Sequence, residues 1–155
     1  MKTVILAGGF GTRLAEYTDK IPKPMVQIGD KPILSHIMNF YQSYGHNEFI
    51  IAAGYKKDVI IDYYKNSKEF KNLTIVDTGG NTMTGGRILR LKSYFDKNEN
   101  FFMTYGDGLC SINLDNLIQF HLKHKKIASV TAVHPPVRFG ELEIKGEDVT
   151  KFEEK

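Results

Sequence analysis

Gly8-Gly9-Phe10-Gly11-Thr12-Arg13 follows directly on an apolar run, Thr3-Val4-Ile5-Leu6-Ala7. Glycines lack a Cβ, so the backbone can bend sharply and bring successive N–H groups against phosphate oxygens. Arg13 adds a guanidinium that can grip two oxygens at once. Further on, Pro22-Lys23-Pro24 carries a second cation on a stiff segment, because each proline sets its own φ and restrains the residue before it. Together these residues read as a phosphate cradle with two placed cations, although a strand followed by a glycine-rich turn is also common as plain structure. Gly106-Asp107-Gly108 sets a carboxylate between two residues that let a backbone approach closely, which suits a hard cation such as Mg²⁺. The same three residues also read as an Asp-Gly turn. Thr78-Gly79-Gly80-Asn81-Thr82-Met83-Thr84-Gly85-Gly86-Arg87 holds four glycines and a terminal arginine, and so flexible a loop points to ligand contact rather than to structure.

Better-known phosphate loops do not fit. A dinucleotide fingerprint requires a glycine where Leu14 stands, and a P-loop requires Gly-Lys-Ser/Thr where Gly11-Thr12-Arg13 stands. His36, His121 and His124 fall on expected helices with no zincin-like carboxylate partner, and His46 and His134 sit at element ends. No serine occupies a nucleophile elbow. Cys110, the only cysteine, excludes an intrachain disulfide framework and is expected as a buried apolar side chain.

Strand-like and helix-like stretches alternate around these loops. Residues 2–7, 48–53, 73–77, 101–105 and 129–134 read as strands. Helices are expected over 32–44, 56–66 and 86–95. In the first of these, Ile33, Leu34, Ile37, Met38 and Tyr41 share one face, proline opens the first turn and Gly45 ends the helix. Asn113 can cap a further helix carrying Leu114, Leu117, Ile118 and Leu122 at helical spacing. This βαβα order predicts an α/β fold with a mostly parallel sheet and helices on both faces, ligands sitting beyond the carboxyl ends of the strands. Residues 141–144 and 149–152 read as the arms of a hairpin. An edge hairpin with nothing to cover it suggests a fragment of a longer chain.

The chain has 155 residues, 41% hydrophobic and 25% charged, with a net charge of +3, which is ordinary globular composition and predicts one domain. The lysines are spread rather than gathered, so nucleic acid is not the expected partner. No stretch approaches the roughly twenty apolar residues that span a bilayer, and no signal peptide is visible, so a cytoplasmic protein without membrane partner is expected.

The combination of Leu6-Ala7-Gly8-Gly9-Phe10-Gly11-Thr12-Arg13-Leu14 with Pro22-Lys23-Pro24-Met25 resembles the signature of the sugar-1-phosphate nucleotidylyltransferases. Val76-Asp77-Thr78-Gly79, Met83-Thr84-Gly85-Gly86-Arg87 and Thr104-Tyr105-Gly106-Asp107-Gly108 resemble the glucose-1-phosphate cytidylyltransferase branch, as do Pro135-Pro136, Arg138-Phe139-Gly140 and the closing Phe152-Glu153-Glu154-Lys155. The resemblance implies a Rossmann-like fold of the nucleotide-diphospho-sugar transferase type, here its N-terminal, nucleotide-binding portion, without the C-terminal sugar-binding part. It implies transfer of a cytidylyl group from CTP to α-D-glucose 1-phosphate, in nucleotide-sugar and lipopolysaccharide O-antigen biosynthesis. It further implies a homo-oligomer and Mg²⁺ held by Asp107. Nucleotide- and substrate-binding positions are implied at Leu6, Ala7, Gly8, Gly9, Phe10, Gly11, Thr12, Arg13, Lys23, Thr82, Arg87, Gly106 and Lys155. Arg13 is assigned to the pyrophosphate and Lys23 to the α-phosphate, the two catalytic cations. The connection between Tyr64 and Asn72 is shorter than is typical of this branch. The alternatives are a nucleotidylyltransferase for another sugar or alcohol phosphate, or a CTP-binding module without turnover.

Overall fold

A strand buried on both faces reads as an unbroken apolar run, and β1 (Thr3–Ala7) is buried at every residue. The computed structural model describes residues 1–11, 20–133 and 141–153. After β1 come a 3₁₀ turn (Lys23–Met25) and a two-stranded ribbon of β2 (Gln27–Ile28) and β3 (Lys31–Pro32). Then follow α1 (Ile33–Ser43), β4 (Glu48–Ala53), α2 (Lys57–Lys65) and β5 (Asn72–Asp77). Next are α3 (Thr84–Arg90), a 3₁₀ turn (Lys92–Tyr94), β6 (Phe102–Tyr105) and α4 (Leu114–His124). A hairpin of β7 (Glu141–Lys145) and β8 (Asp148–Glu153) follows. The chain divides into two compact units, Met1–Leu117 and Ile118–Lys155.

In the first unit the sheet runs β5-β4-β1-β6, and every neighbouring pair is parallel. Alternation along the strands sends Thr3, Ile5, Phe49 and Ile51 to one face and Val4, Leu6, Ile50 and Ala52 to the other. On the first face lie α1 and α2: the Tyr41 ring meets Phe102, and Phe70 meets both Phe49 and Tyr64. On the second, Leu91 is fully buried among Val4, Leu6, Ile50 and Ala52, with Ile88, Phe95 and Phe101 packed around it. Both faces are thus covered, as the sequence predicts. The chain leaves β1 toward β4 and β5, then crosses back to β6 on the other side. The strand order therefore reverses between β1 and β6, which opens a crevice at their carboxyl ends.

Local chemistry explains the element ends. Gly45, at φ +82°, lets α1 close in a Schellman motif, with His46 N–H donating to Tyr41 O (3.1 Å) and Gly45 N–H to Gln42 O (2.9 Å). Asn113 Oδ1 accepts from Asn116 N–H at 2.9 Å and caps α4. Pro32 stands one position outside α1, at the cap. The helix expected over 86–95 starts earlier and breaks at Leu91 into α3 and the 3₁₀ turn, because burying Leu91 against the sheet outweighs continuing the spiral. Two expectations are corrected. Residues 129–133 form no strand: their β propensity finds no ladder partner among the described residues, and Val130 and Val133 are exposed. His134, the last residue of that expected strand, lies outside the described residues. Cys110 is exposed rather than buried. No helix among the described residues is long and apolar enough to cross a membrane.

Candidate active site

The loops after β1, β5 and β6 and the first 3₁₀ turn meet at the carboxyl edge of the sheet around a cleft of about 450 Å³. Leu6, Ala7, Gly8, Gly9, Phe10 and Gly11 line it from β1. Lys23 and Pro24 come from the 3₁₀ turn, and Tyr105, Gly106 and Asp107 from β6. Residues 80–84 and Arg87 close the remaining side.

Two close approaches set this geometry. Gly106 N–H donates to Leu6 O at 2.9 Å, which extends the β1–β6 pairing by one residue into the site. Pro24 Cγ sits 2.8 Å from where a Cβ on Gly106 would be, so only glycine lets the 3₁₀ turn lie against β6. Packed in this way, the turn delivers Lys23 Nζ to within 2.6 Å of Asp107 Oδ2, across 84 residues of sequence. The pair is 27% and 34% exposed, so both groups remain open to solvent and to a ligand. Phe10 stands at the mouth, 48% exposed, with its ring against Tyr55 at 5.1 Å. Among the described residues no histidine lines the cleft.

The loop after β5 is held from beneath. Asp77 Oδ1 accepts from Gly79 N–H (2.9 Å), and Asp77 also pairs with Lys57 at the start of α2. The Lys57 ammonium, then the Gly79 N–H, hold the Asp77 carboxyl below its ordinary range. Arg90 donates to Thr78 O (2.6 Å) and Thr82 Oγ1 (2.8 Å), so Thr82 meets the cleft with its hydroxyl already engaged. Arg87 is only 5% exposed. Burial, then the charge of Arg90, push its guanidinium below the ordinary value, and Asp77 opposes them.

Of the residues singled out in the sequence, Leu6, Ala7, Gly8, Gly9, Phe10, Gly11, Lys23, Thr82, Arg87, Gly106 and Asp107 are brought to one cleft. Thr12, Arg13 and Lys155 lie outside the described residues. The sequence reading gave no role to Gly54, Asp77 and Arg90, which hold or make room for the loops around the cleft without lining it. Gly54, following β4 as Gly8 follows β1, carried a usable signal: a strand-end glycine on the same sheet edge.

A hard divalent cation fits the donor set in part. Among the described residues there is no cluster of three or more His, Cys, Asp or Glu side chains. Mg²⁺, however, commonly takes one or two carboxylates and completes its shell with water and substrate phosphate, a role open to Asp107.

A doubly covered parallel sheet, with a glycine loop, a lysine and an aspartate at its switch point, defines a nucleotide-binding α/β enzyme. Residues 2–155 match the nucleotidyl transferase family, and the chain belongs to it; the protein is a nucleotidyltransferase. It is 45% identical to glucose-1-phosphate cytidylyltransferase of Salmonella typhimurium, over 100% of this chain and 69% of that protein. It is 42% identical to a probable glucose-1-phosphate cytidylyltransferase of Bacillus subtilis, with the same coverage. The Salmonella alignment extends over 177 positions, so that relative carries insertions the 155 residues lack. Among solved structures, HddC from Yersinia pseudotuberculosis, complexed with GMP-PN, superposes on 99% of the chain and 69% of its own at TM-score 0.70 and 29% identity. The CTP:phosphocholine cytidylyltransferase of Streptococcus pneumoniae matches 68% of the chain and 44% of its own at TM-score 0.57 and 30% identity.

Proposed function

We propose that the chain transfers a cytidylyl group from CTP to α-D-glucose 1-phosphate, giving CDP-glucose and pyrophosphate. The observation that carries this reading is the juxtaposition of the glycine loop, Lys23 and Asp107 at the switch point between β1 and β6. The names of the relatives supply the choice of CTP and glucose 1-phosphate.

A phosphate oxygen of the sugar phosphate attacks the α-phosphorus of CTP. The new O–P bond forms as the bond to the β-phosphate oxygen breaks, and pyrophosphate leaves with that electron pair. The nucleophile is already anionic, so no side chain has to remove a proton. The barrier lies in bringing two polyanions together and in the charge gathering on pyrophosphate. Lys23 is assigned to neutralising the α-phosphate, and the N–H groups of the glycine loop to holding the rest of the triphosphate. Arg13, at the end of that loop in sequence, is assigned to the pyrophosphate. Asp107 would hold Mg²⁺, whose contribution when bound is to neutralise phosphate charge.

The test is pyrophosphate release with Mg²⁺, offering CTP, UTP, dTTP and ATP against glucose 1-phosphate, mannose 1-phosphate and phosphocholine. Release only with CTP and glucose 1-phosphate is expected. Release with another acceptor or donor would overturn the specificity. CTP binding by calorimetry without release from any pair would leave a nucleotide-binding module in place of an enzyme acting alone.

A further inference from the structure

Arg87 is a buried cation that meets no carboxylate among the described residues. Its Nη1 and Nη2 reach five oxygens: Ala53 O at 3.3 Å, Thr78 Oγ1 at 2.7 Å, Gly79 O at 2.8 Å, Gly8 O at 2.7 Å and Gly80 O at 3.1 Å. These oxygens belong to the ends of β1, β4 and β5, three strands that are adjacent only in the folded sheet. The guanidinium is seated between two glycines. A Cβ on Gly8 would lie 2.0 Å from Arg87 Nη1, and a Cβ on Gly54 would lie 2.5 Å from the same atom and 2.7 Å from Gly79 O.

A trans peptide is planar, with its C=O and the next residue's N–H pointing in opposite directions. A carbonyl drawn onto Arg87 therefore turns the following N–H away from it. The carbonyls of Gly8, Gly79 and Gly80 are so drawn, which orients the N–H groups of Gly9, Gly80 and Asn81. All three residues are exposed and line the cleft, and among the described residues these three N–H groups have no hydrogen-bond partner. Backbone donors of this kind at one cleft can receive oxygen acceptors.

We infer that Arg87 is a positioning residue: by gathering the carbonyls of Gly8, Gly79 and Gly80 onto one guanidinium it presents the N–H groups of Gly9, Gly80 and Asn81 to the oxygens of a nucleoside triphosphate, and Gly54 is glycine because its Cβ would crowd the guanidinium together with the carbonyls of Gly79 and Gly8 that it holds. The identity of the ligand rests on the function proposed above; the clamp does not. Lysine cannot replace it, since a tetrahedral ammonium with three donors on one nitrogen does not match five acceptors spread over two.

Two variants of the full chain, Arg87→Lys and Gly54→Ala, test the clamp by different routes, one removing the fork and the other crowding its seat and the carbonyls of Gly79 and Gly8 within it. In the ligand-free chain, both are expected to shift the backbone amide resonances of Gly9, Gly80 and Asn81, while those of Ile5 and Ile51 stay unchanged. Both are expected to weaken CTP, UTP and pyrophosphate by the same factor, about 10–100-fold, the equivalent of one charge-assisted hydrogen bond. Should either variant unfold, Arg87→Ala in millimolar guanidinium is the further measurement. The ion is expected to refill the seat and restore the three amide resonances, which ammonium does not. Unmoved amides in Gly54→Ala, or a change in CTP-to-UTP preference with pyrophosphate affinity intact, would overturn the inference. The latter result would mark Arg87 as a direct contact to the base. Shifted amides in a chain that binds no nucleotide would uphold the clamp and overturn the proposed function instead.

Discussion

The ammonium of Lys23 and the carboxylate of Asp107 lie 2.6 Å apart, each about a third exposed. A pair so open to water adds little to folding stability, typically under about 1 kcal/mol. Its placement in the cleft therefore matters for ligands rather than for the fold. Lys23→Ala is expected to lower pyrophosphate release by about a hundred- to a thousandfold, as removal of an oxyanion donor does, while the melting temperature stays nearly constant. Steady-state kinetics beside a thermal melt checks both halves, and an unchanged rate would remove Lys23 from the chemistry. Arg87 makes the opposite case. Its Nη1 and Nη2 donors are spent on protein oxygens, so through them its influence on a ligand passes by way of the loops it holds.

At the scale of elements, the site depends on how the ends of β1, β4, β5 and β6 are tied to the helices that follow them. The Lys57–Asp77 pair joins the start of α2 to the end of β5, next to the loop that carries Thr82. Lys57 depresses the Asp77 carboxyl, so the folded chain takes up that proton less readily than the unfolded chain does. The stability this pair adds is therefore present above the unfolded carboxylate value of about 4 and is lost as the pH falls through the lower folded value. The pair is more open to water than Lys23–Asp107, so Lys57→Met is expected to melt only slightly below the parent at neutral pH, and the two melting temperatures should converge as the pH falls through the lowered Asp77 value. A gap that stays constant across that range would show that the pair contributes nothing through Asp77. The helices themselves are held by packing: Ile37, Met38 and Ile60 are almost fully buried against the sheet, and the hydroxyls of Ser35 on α1 and Tyr64 on α2 share a buried hydrogen bond of 2.7 Å.

For the whole molecule, a ligand that binds only the folded chain must raise its stability by mass action. CTP with Mg²⁺ at about a hundred times its dissociation constant is expected to add about 2.7 kcal/mol. The same concentration of UTP should add less if the proposed donor is right. A thermal-shift series over both nucleotides reads this directly, and equal shifts would remove the preference for CTP. This measurement concerns binding, so it is independent of whether 155 residues spanning 69% of the length of their relatives turn over.

The loops around the cleft could be read from the chain because their meaning is local. Gly8, Gly9 and Gly11 after an apolar strand, Lys23 between prolines and Asp107 between glycines each state a backbone property within a few residues. The helices were readable for the same reason: α1 and α4 carry apolar side chains at helical spacing, a terminating Gly45 and a capping Asn113. Residues 129–133 show the limit of that reading, since β-branched residues carry strand propensity but the ladder partner is a tertiary matter. Strand order is tertiary too, because it depends on which crossover packs against which face. That order alone put the β1 and β6 loops side by side and made the crevice. The seat of Arg87 was likewise beyond the sequence: its five oxygens lie at or just beyond the ends of three strands, and Gly8 is 79 residues away. Local spacing thus determined which residues could meet a phosphate, whereas burial of both sheet faces decided which of them came to stand together.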